Sequence, residues 1–371
     1  VSIIQEGPGI RKYQYTESGI QFLTVTNILE GSIDFKKSQK YIDFAEYEKK
    51  YKHFTLNNGD IVTACSGASW GKSAVFESDN LMMLNTSTLR LRFFKDLGEN
   101  KYLYYLTKSN YFKANLASHS TGQQANYGYS HYSKIPIPIP STQEQKQIAE
   151  ILDKTFESIK KAKANIEKNI ENAKELFQSK LNQIFSQTGE GREIKTLEYG
   201  FMKDSSNLSI NKLKDDEGDY PFYSAKGFVK NISFYHQEKS YLAIIKDGAG
   251  VGRVSLHPAK SSVVGTLQYL LPKEGFDLKF LYYYLLSIDF SKYFTGSTIP
   301  HIYFKDYKSE LFPVLALNEQ KEIVETLDII DNHIQSVLLA YEEELKNLQE
   351  LKKSILQKAF SGELTNKNKA A

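Results

Sequence analysis

Two stretches of the chain carry the spacing of apolar residues that is typical of long helices. In residues 143–186 apolar side chains recur at alternating steps of four and three, and residues 318–361 repeat that spacing. Both stretches lack proline and glycine and are rich in residues that favour helix. Because this alternation marks a coiled-coil seam, it predicts two long helices that pack on each other. The predicted pairing residues are Ile148, Leu152, Ile159 and Ile166 in the first stretch and Ile323, Leu327, Ile334 and Tyr341 in the second.

These two stretches are copies of one another. At a constant offset of 175 positions, sixteen of their 44 residues are identical, including Glu144/Glu319 and Gln145/Gln320. Some 40 residues of helix would extend for roughly 60 Å, which is longer than most domain cores are wide. Each helix is therefore interpreted as a spacer. Two amphipathic helices lying on separate cores remain the alternative.

Helix breakers flank both copies and set the predicted domain boundaries. Three prolines precede the first copy, a Gly-Glu-Gly turn follows it, Pro313 precedes the second copy and Gly362 ends it. The predicted segments are 1–140 (a first globular domain), 141–186 (a first spacer helix), 187–313 (a second globular domain), 314–362 (a second spacer helix) and 363–371 (a tail).

The globular segments have the pattern of β-sheet domains. Short β-type runs such as 20–25, 60–64, 89–93 and 241–245 are separated by Gly, Asn and Asp turns. The two segments also resemble each other, with offsets that drift as loops of unequal length require. The predicted class is α+β: two mixed-sheet domains separated by two long antiparallel coiled-coil helices, with internal pseudo-twofold symmetry.

Composition narrows the class of protein. The chain is 41% hydrophobic and 25% charged, a balance typical of soluble globular proteins, and no apolar run is long enough to span a bilayer. Its first residues lack the build of a secretory signal, so a cytoplasmic location is expected. The single cysteine, Cys65, makes no internal disulfide, and no Cys/His spacing of a zinc site occurs.

Charge is unevenly divided along the chain. Residues 1–140 hold 16 basic and 12 acidic side chains, whereas residues 314–371 hold 7 basic and 10 acidic ones. The net charge of the whole chain is only +3. A polyanion would therefore be bound by local patches and not by a global field.

A glycine-rich turn that ends in a cation follows a predicted strand in each globular segment. The first turn has three residues between its glycines where a phosphate-binding P-loop needs four. The second turn has no glycine at the last position of the dinucleotide-binding pattern GxGxxG. Exposed amides beside a cation would suit a DNA phosphate, and a plain hairpin turn is the open alternative. The candidate contacts are Gly67, Ser69, Trp70 and Lys72 in the first segment and Lys246, Gly250 and Arg253 in the second.

A Thr-Gly loop occurs further along each segment. Shared residues lead into different ones, as expected for one scaffold that carries two readers of base edges. A solvated loop is the alternative. The candidates are Thr121, Gly122, Gln123, Gln124, Asn126 and Tyr127 in the first loop, aligned with Thr295, Gly296, Ser297, Thr298 and His301 in the second.

No catalytic constellation emerges from the sequence. It contains no cysteine beside a matched histidine, and neither the Asn/Asp-Pro-Pro-aromatic nor the FxGxG pattern of an adenine methylase. The isolated histidines are interpreted as ordinary surface or core residues.

Together these features resemble the specificity subunit of type I restriction-modification systems over essentially the whole chain. The features that carry the resemblance are the alternation of two variable domains with two repeated helices, the two Thr-Gly loops, the closing residues 354–365, Pro138, Pro140, Glu144, Gln145 and Ile148, and Asn318, Glu319, Gln320 and Ile323.

The resemblance implies that each globular segment is a target-recognition domain that reads one half of a bipartite, asymmetric sequence in double-stranded DNA. It also implies that the helices fix the spacing and dock two methyltransferase subunits, to which restriction subunits are added. The subunit itself would be non-catalytic. It would hold no cofactor, with S-adenosylmethionine, ATP and Mg on the partner subunits. Independently of the resemblance, the lack of a long apolar run predicts that the chain has no membrane partner.

Two other functions stay open at the level of sequence. One is a coiled-coil adaptor whose globular domains bind protein instead of DNA, with little dependence of DNA affinity on salt. The other is a nuclease or methylase that acts alone. The first domain has one further open point, since the segment ahead of Ser18 is shorter than the matching stretch 194–218 and its opening strand has no clear counterpart.

Overall fold

The computed structural model describes residues 2–94, 97–119, 126–188, 191–296 and 300–365. The chain forms two compact units. Unit 1 comprises Val1–Ile166 with Glu343–Ala371, and unit 2 comprises Glu167–Glu342. Each unit therefore contains one globular segment and a part of both long helices. Among the described residues, no helix combines the length and apolar character needed to cross a membrane.

The described residues of unit 1 form two four-stranded sheets. The first is antiparallel in the order β1-β8-β5-β6, and the second, in the order β2-β4-β3-β7, is mixed because β3 and β7 are parallel. The strands are β1 (Ser2–Glu6), β2 (Tyr15–Thr16), β3 (Ile20–Phe22), β4 (Tyr41–Ile42), β5 (Ile61–Ala64), β6 (Ser73–Val75), β7 (Met82–Met83) and β8 (Thr88–Phe93). The short helices are α1 (Phe44–Glu46), α2 (Asn100–Lys108), α3 (Asn110–Ser118) and α4 (Tyr129–Tyr132).

Unit 2 repeats this plan. Its antiparallel sheet has the order β10-β16-β13-β14, and its mixed sheet, β12-β11-β15, has the parallel pair β11 and β15. The strands are β9 (Ile194–Thr196), β10 (Phe201–Ser205), β11 (Tyr220–Ser224), β12 (Gly227–Ile232), β13 (Tyr241–Ile245), β14 (Val254–His257), β15 (Ser262–Val263), β16 (Leu267–Pro272) and β17 (Leu311–Pro313). The short helices are α6 (Leu197–Gly200), α7 (Leu278–Ser287) and α8 (Phe304–Tyr307).

The opening strand of unit 1 is present despite the short sequence ahead of Ser18. Strand β1 pairs antiparallel with β8, with Glu6 opposite Leu89, as β10 pairs with β16 in unit 2. The four β-type runs singled out in the sequence correspond to β3, β5, β8 and β13. The predicted α+β class is confirmed.

The two predicted long helices are α5 (Thr142–Thr188) and α9 (Leu317–Phe360). In unit 1 the first part of α5 packs against the last part of α9, where Ile148 and Leu152 share a buried cluster with Leu356 and Ala359. The ammonium of Lys352 lies 5.0 Å from the centre of the Phe156 ring. The two helices are therefore antiparallel in unit 1.

The reverse ends of the same helices pack in unit 2. Leu181 and Phe185, near the end of α5, share a buried cluster with Val324 and Leu327, near the start of α9. Of the remaining predicted pairing residues, Ile166 is buried, while Ile159, Ile323, Ile334 and Tyr341 are partly buried. The antiparallel helix pair thus supplies part of the core of both units.

A buried glutamine anchors each domain to its helix. In unit 1 Gln145 accepts from the backbone amide of Glu99 at 2.9 Å and donates to the carbonyl of Pro140 at 2.9 Å. In unit 2 Gln320 accepts from the amide of Asp277 at 2.7 Å and donates to the carbonyls of Gly275 and Leu315, both at 2.9 Å. Because both glutamines are fully buried, these bonds explain why a glutamine recurs at the start of each helix.

A second repeated anchor lies two turns further along each helix. Asp153 accepts from the Lys101 ammonium at 2.6 Å and from the Tyr105 hydroxyl at 2.5 Å. In unit 2 Asp328 makes the same pair of contacts with Lys279 at 2.7 Å and with Tyr283 at 2.6 Å. These bonds to Lys279 and Tyr283 hold the pKa of Asp328 below its ordinary value, although burial opposes them.

Candidate nucleic-acid interface

The glycine-rich turn of unit 1 joins β5 to β6 as a closed hairpin. The amide of Gly71 donates to the carbonyl of Ala64, and the amide of Ala64 donates to the carbonyl of Lys72, both at 2.9 Å. Gly71 has a φ of 77°, which a residue with a side chain rarely adopts. The turn therefore requires glycine for its backbone geometry.

The turn of unit 2, between β13 and β14, has the same hydrogen bonds. The amide of Gly252 donates to Ile245 at 2.9 Å, the amide of Ile245 donates to Arg253 at 3.0 Å, and Gly252 has a φ of 85°. The amides of Gly71 and Gly252 are thus used inside the hairpin, which favours the plain-turn interpretation for the backbone. What distinguishes the two turns is the side chains that they display.

Each Thr-Gly loop ends beside the turn of its own unit. In unit 1 the amide of Tyr127 donates to the carbonyl of Cys65 at 2.8 Å, and Asn126 forms a β-bridge with Ser66. The structure therefore brings residues 126–127, which follow the Thr-Gly motif in the sequence, next to the glycine-rich turn.

In unit 2 the amide of Ile302 donates to the carbonyl of Lys246 at 2.9 Å, and His301 forms a β-bridge with Asp247. The Thr-Gly motif is itself closed by two hydrogen bonds of 2.9 Å between the backbones of Thr295 and His301. Gly296 follows directly, with a φ of 90°.

These contacts correct the alignment of the two loops. His301 is the counterpart of Asn126, and Ile302 is the counterpart of Tyr127, so the sequence alignment of His301 with Tyr127 is wrong by one residue at this end. A gapless alignment missed this shift because the second loop is one residue longer. Six candidate readers lie outside the described residues: Thr121, Gly122, Gln123, Gln124, Ser297 and Thr298.

Two aromatic candidates of unit 1 pack on each other. The rings of Trp70 and Tyr127 lie 4.8 Å apart, and Tyr127 also meets the ring of His131 at 5.8 Å. Tyr127 is buried in the unit 1 core and Trp70 packs against that core. The ring of Tyr127 is therefore a packing group, which corrects its assignment as a side chain that contacts DNA.

The cations at the turns remain available to a ligand. Among the described residues, none of Lys72, Lys246 and Arg253 takes part in a salt bridge. The ammonium of Lys72 lies 3.5 Å from the hydroxyl of Ser69, and Arg253 is exposed and donates to the carbonyl of Ala225. Gly67 and Gly250 lie in the exposed parts of the two turns.

A cavity beside the unit 2 turn was missed by the sequence reasoning. It has a volume of about 820 Å³ and lies between the turn, the β11–β12 hairpin and strand β14. Its lining residues with polar side chains are Ser224, Lys226, Asp247, Arg253, Ser255 and His257. The hairpin residues are distant in sequence from the glycine-rich turn, so no local pattern connects them.

His257 forms part of the wall of this cavity and is buried. Its Nε2 lies 2.8 Å from the hydroxyl of Ser255, which itself donates to the carbonyl of Ala243 at 3.3 Å. Which of the two atoms donates in the contact between Ser255 and Nε2 depends on the tautomer of the ring. Burial lowers the pKa of His257 to about 4, so the ring is neutral at pH 7.

Comparison with known proteins identifies the family of this chain. A family profile described as the type I restriction modification DNA specificity domain matches residues 3–172 and 199–347. The chain belongs to the type I restriction-modification specificity family. It is therefore the specificity subunit of such a system, with one DNA-specificity domain in each half of the chain.

Curated relatives agree with this assignment. The putative type I restriction enzyme MjaX specificity subunit of Methanocaldococcus jannaschii is 28% identical over 384 residues, which covers 93% of this chain and 87% of that subunit. The MjaVIII specificity subunit of the same organism is 30% identical over 173 residues, covering 44% of this chain and 40% of that subunit.

Solved structures share the fold. One chain comes from work on the complex assembly and conformational transition of the type I R-M system. It has a TM-score of 0.77 at 18% identity, and the match covers 93% of this specificity subunit and 92% of that chain. The HsdS subunit from Thermoanaerobacter tengcongensis has a TM-score of 0.57 at 18% identity, with 93% and 90% covered.

Proposed function

We propose that this specificity subunit reads a bipartite, asymmetric sequence in double-stranded DNA, one half through the turn and loop of each unit. The observation that carries the proposal is the same backbone site built twice with different side chains. Lys72 and Ser66 in unit 1 stand where Arg253 and Asp247 stand in unit 2. Two equal scaffolds with unequal side chains suit two unlike half-sites.

We further propose that the chain is a non-catalytic member of a larger assembly. Two methyltransferase subunits would dock on the long helices, and restriction subunits would join them, with S-adenosylmethionine, ATP and Mg bound by those partners. The repeat supports this stoichiometry, because two copies of one helix surface offer two equivalent docking sites.

A domain exchange tests the DNA-reading proposal. The subunit would be co-expressed with its methyltransferase partner, residues 187–313 would be replaced by the equivalent domain of another specificity subunit, and methylated sites would be mapped by single-molecule sequencing. One half of the target is expected to change while the other half is kept. A change in both halves would contradict independent reading by the two domains.

Salt dependence separates DNA reading from a protein adaptor. The affinity of the assembled complex for DNA is expected to fall steeply as salt rises, because cations that bind phosphates displace counterions. A protein adaptor would show weak DNA binding with little dependence on salt. Methylation or cleavage by the purified subunit alone would contradict its non-catalytic role.

A further inference from the structure

The cavity of unit 2 has the side chains of a site that reads a base pair. Lys226 and Arg253 supply donors, and Asp247 supplies an acceptor, along one cavity of about 820 Å³. Among the described residues, none of these three charged groups is engaged in a salt bridge. Charged groups that line a concave surface without pairing with each other are available to a ligand.

Asp247 is the informative member of this set. A carboxylate repels DNA phosphates, yet this one lies in a cavity whose other charged lining groups, Lys226 and Arg253, are cations, and it is next to the partly buried Lys246. Its presence is explained if it accepts a hydrogen bond from a base. In the major groove, aspartate suits the N4 amine of cytosine, and arginine suits the O6 and N7 acceptors of guanine.

We propose that Asp247 and Arg253 read the two bases of a single G·C pair in the half-site bound by unit 2. Arg253 donates to guanine and Asp247 accepts from the cytosine amine. This assignment rests on the proposed function, and it adds the identity of one base pair to it. Lys226, at the tip of the β11–β12 hairpin, is placed to contact a flanking phosphate.

The floor of the cavity supports this use. Ser255 and His257 are joined by a hydrogen bond of 2.8 Å, and the His257 ring stacks on Tyr241 at 5.2 Å with an angle of 18°. These contacts tie strand β14 to its neighbour β13, and Arg253 directly precedes β14 at the end of the turn. Arg253 also donates to the carbonyl of Ala225, which leaves its other N–H groups for a base.

The corresponding space in unit 1 is filled by protein. Ala74 and Phe76 occupy the places of Ser255 and His257, and Phe76 is buried against Phe35 at 6.1 Å. The cavity is therefore a feature of unit 2 that the shared scaffold does not require.

The test uses the subunit co-expressed with its methyltransferase partner and a plasmid library that varies every position of the target. Arg253→Gln and Asp247→Asn are compared with wild type by single-molecule methylation mapping. Both variants are expected to relax the same base pair, a G·C pair in one half of the target, by about 5- to 150-fold in discrimination. Arg253→Gln should also gain methylation at A·T there, since glutamine pairs with adenine.

Lys239→Gln is the matched control, because Lys239 is an exposed cation of unit 2 that does not line the cavity. It should leave the target unchanged. The inference is overturned if the two variants relax different base pairs, relax an A·T pair, or leave the target intact while wild type methylates a bipartite site. If methylation by the wild-type complex does not depend on the DNA sequence, the proposed function is overturned instead.

Discussion

The two units share one arrangement of strands and differ in the segment that packs beside the glycine-rich turn. In unit 1 the connection from β3 to β4 runs through residues 23–40, and its Leu23 and Ile28 form a buried cluster with Phe76. In unit 2 the corresponding strands, β11 and β12, are joined directly by Ala225 and Lys226. A long connection closes the space beside the turn in unit 1, and a tight hairpin leaves it open in unit 2.

A second difference lies inside the antiparallel sheets. In unit 1 Asp60 is fully buried and accepts from both Arg90 and Arg92. In unit 2 the places of Asp60 and Arg90 are taken by Tyr241 and Tyr269, whose rings meet at 5.0 Å and 73°. An ion network and an aromatic pair thus serve the same position, which shows that the scaffold tolerates very different interiors.

The largest expected effect comes from breaking the ion network of unit 1. Asp60→Asn leaves the guanidinium groups of Arg90 and Arg92 without their carboxylate in a buried site, which should lower the free energy of unfolding by about 3–5 kcal/mol. Urea unfolding measures the loss, and hydrogen exchange of β5 and β8 should locate it in unit 1.

Tyr241→Phe is the mirror control in unit 2. It removes only the bond of 2.9 Å between the Tyr241 hydroxyl and Ser261 and should cost about 1 kcal/mol. Equal losses for the two variants would contradict the contrast between an ionic and an aromatic interior.

The next effect concerns pH. Burial lowers the pKa of His257 from 6.5 to about 4, so between these values the unfolded chain binds a proton that the folded chain does not. Stability is therefore lost as pH falls from 6.5 to 4, by roughly 3 kcal/mol in total. His257→Phe, which copies Phe76 of unit 1, should lack this loss.

Urea unfolding of both proteins at pH 7 and near pH 4 tests this expectation. Relative to wild type, the variant should have a higher free energy of unfolding near pH 4 than it has at pH 7. A difference that does not change with pH would show that His257 does not titrate in this way.

The helix anchors should respond alike in the two units. Gln145→Met leaves the Glu99 amide and the Pro140 carbonyl without their partner, and Gln320→Met does the same to Asp277 and its neighbours. Each should cost about 2 kcal/mol, because the amides and carbonyls that lose their hydrogen-bond partner stay at least partly buried. Hydrogen exchange should report the loss in unit 1 for the first variant and in unit 2 for the second.

The smallest effect is expected at Lys72. As a point charge at the unit 1 turn, it should bind a phosphate and carry no base preference, unlike Arg253. Lys72→Met should weaken DNA binding by the assembled complex evenly across sequences and reduce the salt slope by about 1. A changed target in the unit 1 half would show that Lys72 reads a base.

Much of the fold could be predicted because its signals are local. The spacing of apolar residues predicted α5 and α9 to within a few residues, and the glycines of the two turns indicated the hairpins. Both signals depend only on residues that are close together in the sequence. The one-residue shift between His301 and Asn126 was missed because unequal loops hide the register until backbone hydrogen bonds reveal it.

By itself the sequence determined the duplication, the long helices, the α+β class and the motifs that carry the family resemblance. Only the tertiary structure decided that Tyr127 is a core ring, that Asp60 pairs with Arg90 and Arg92, and that Lys226, Asp247 and Arg253 line one cavity. The physical reason is distance along the chain: periodicity and turn chemistry act between near neighbours, whereas burial and cavity shape depend on which distant segments pack together.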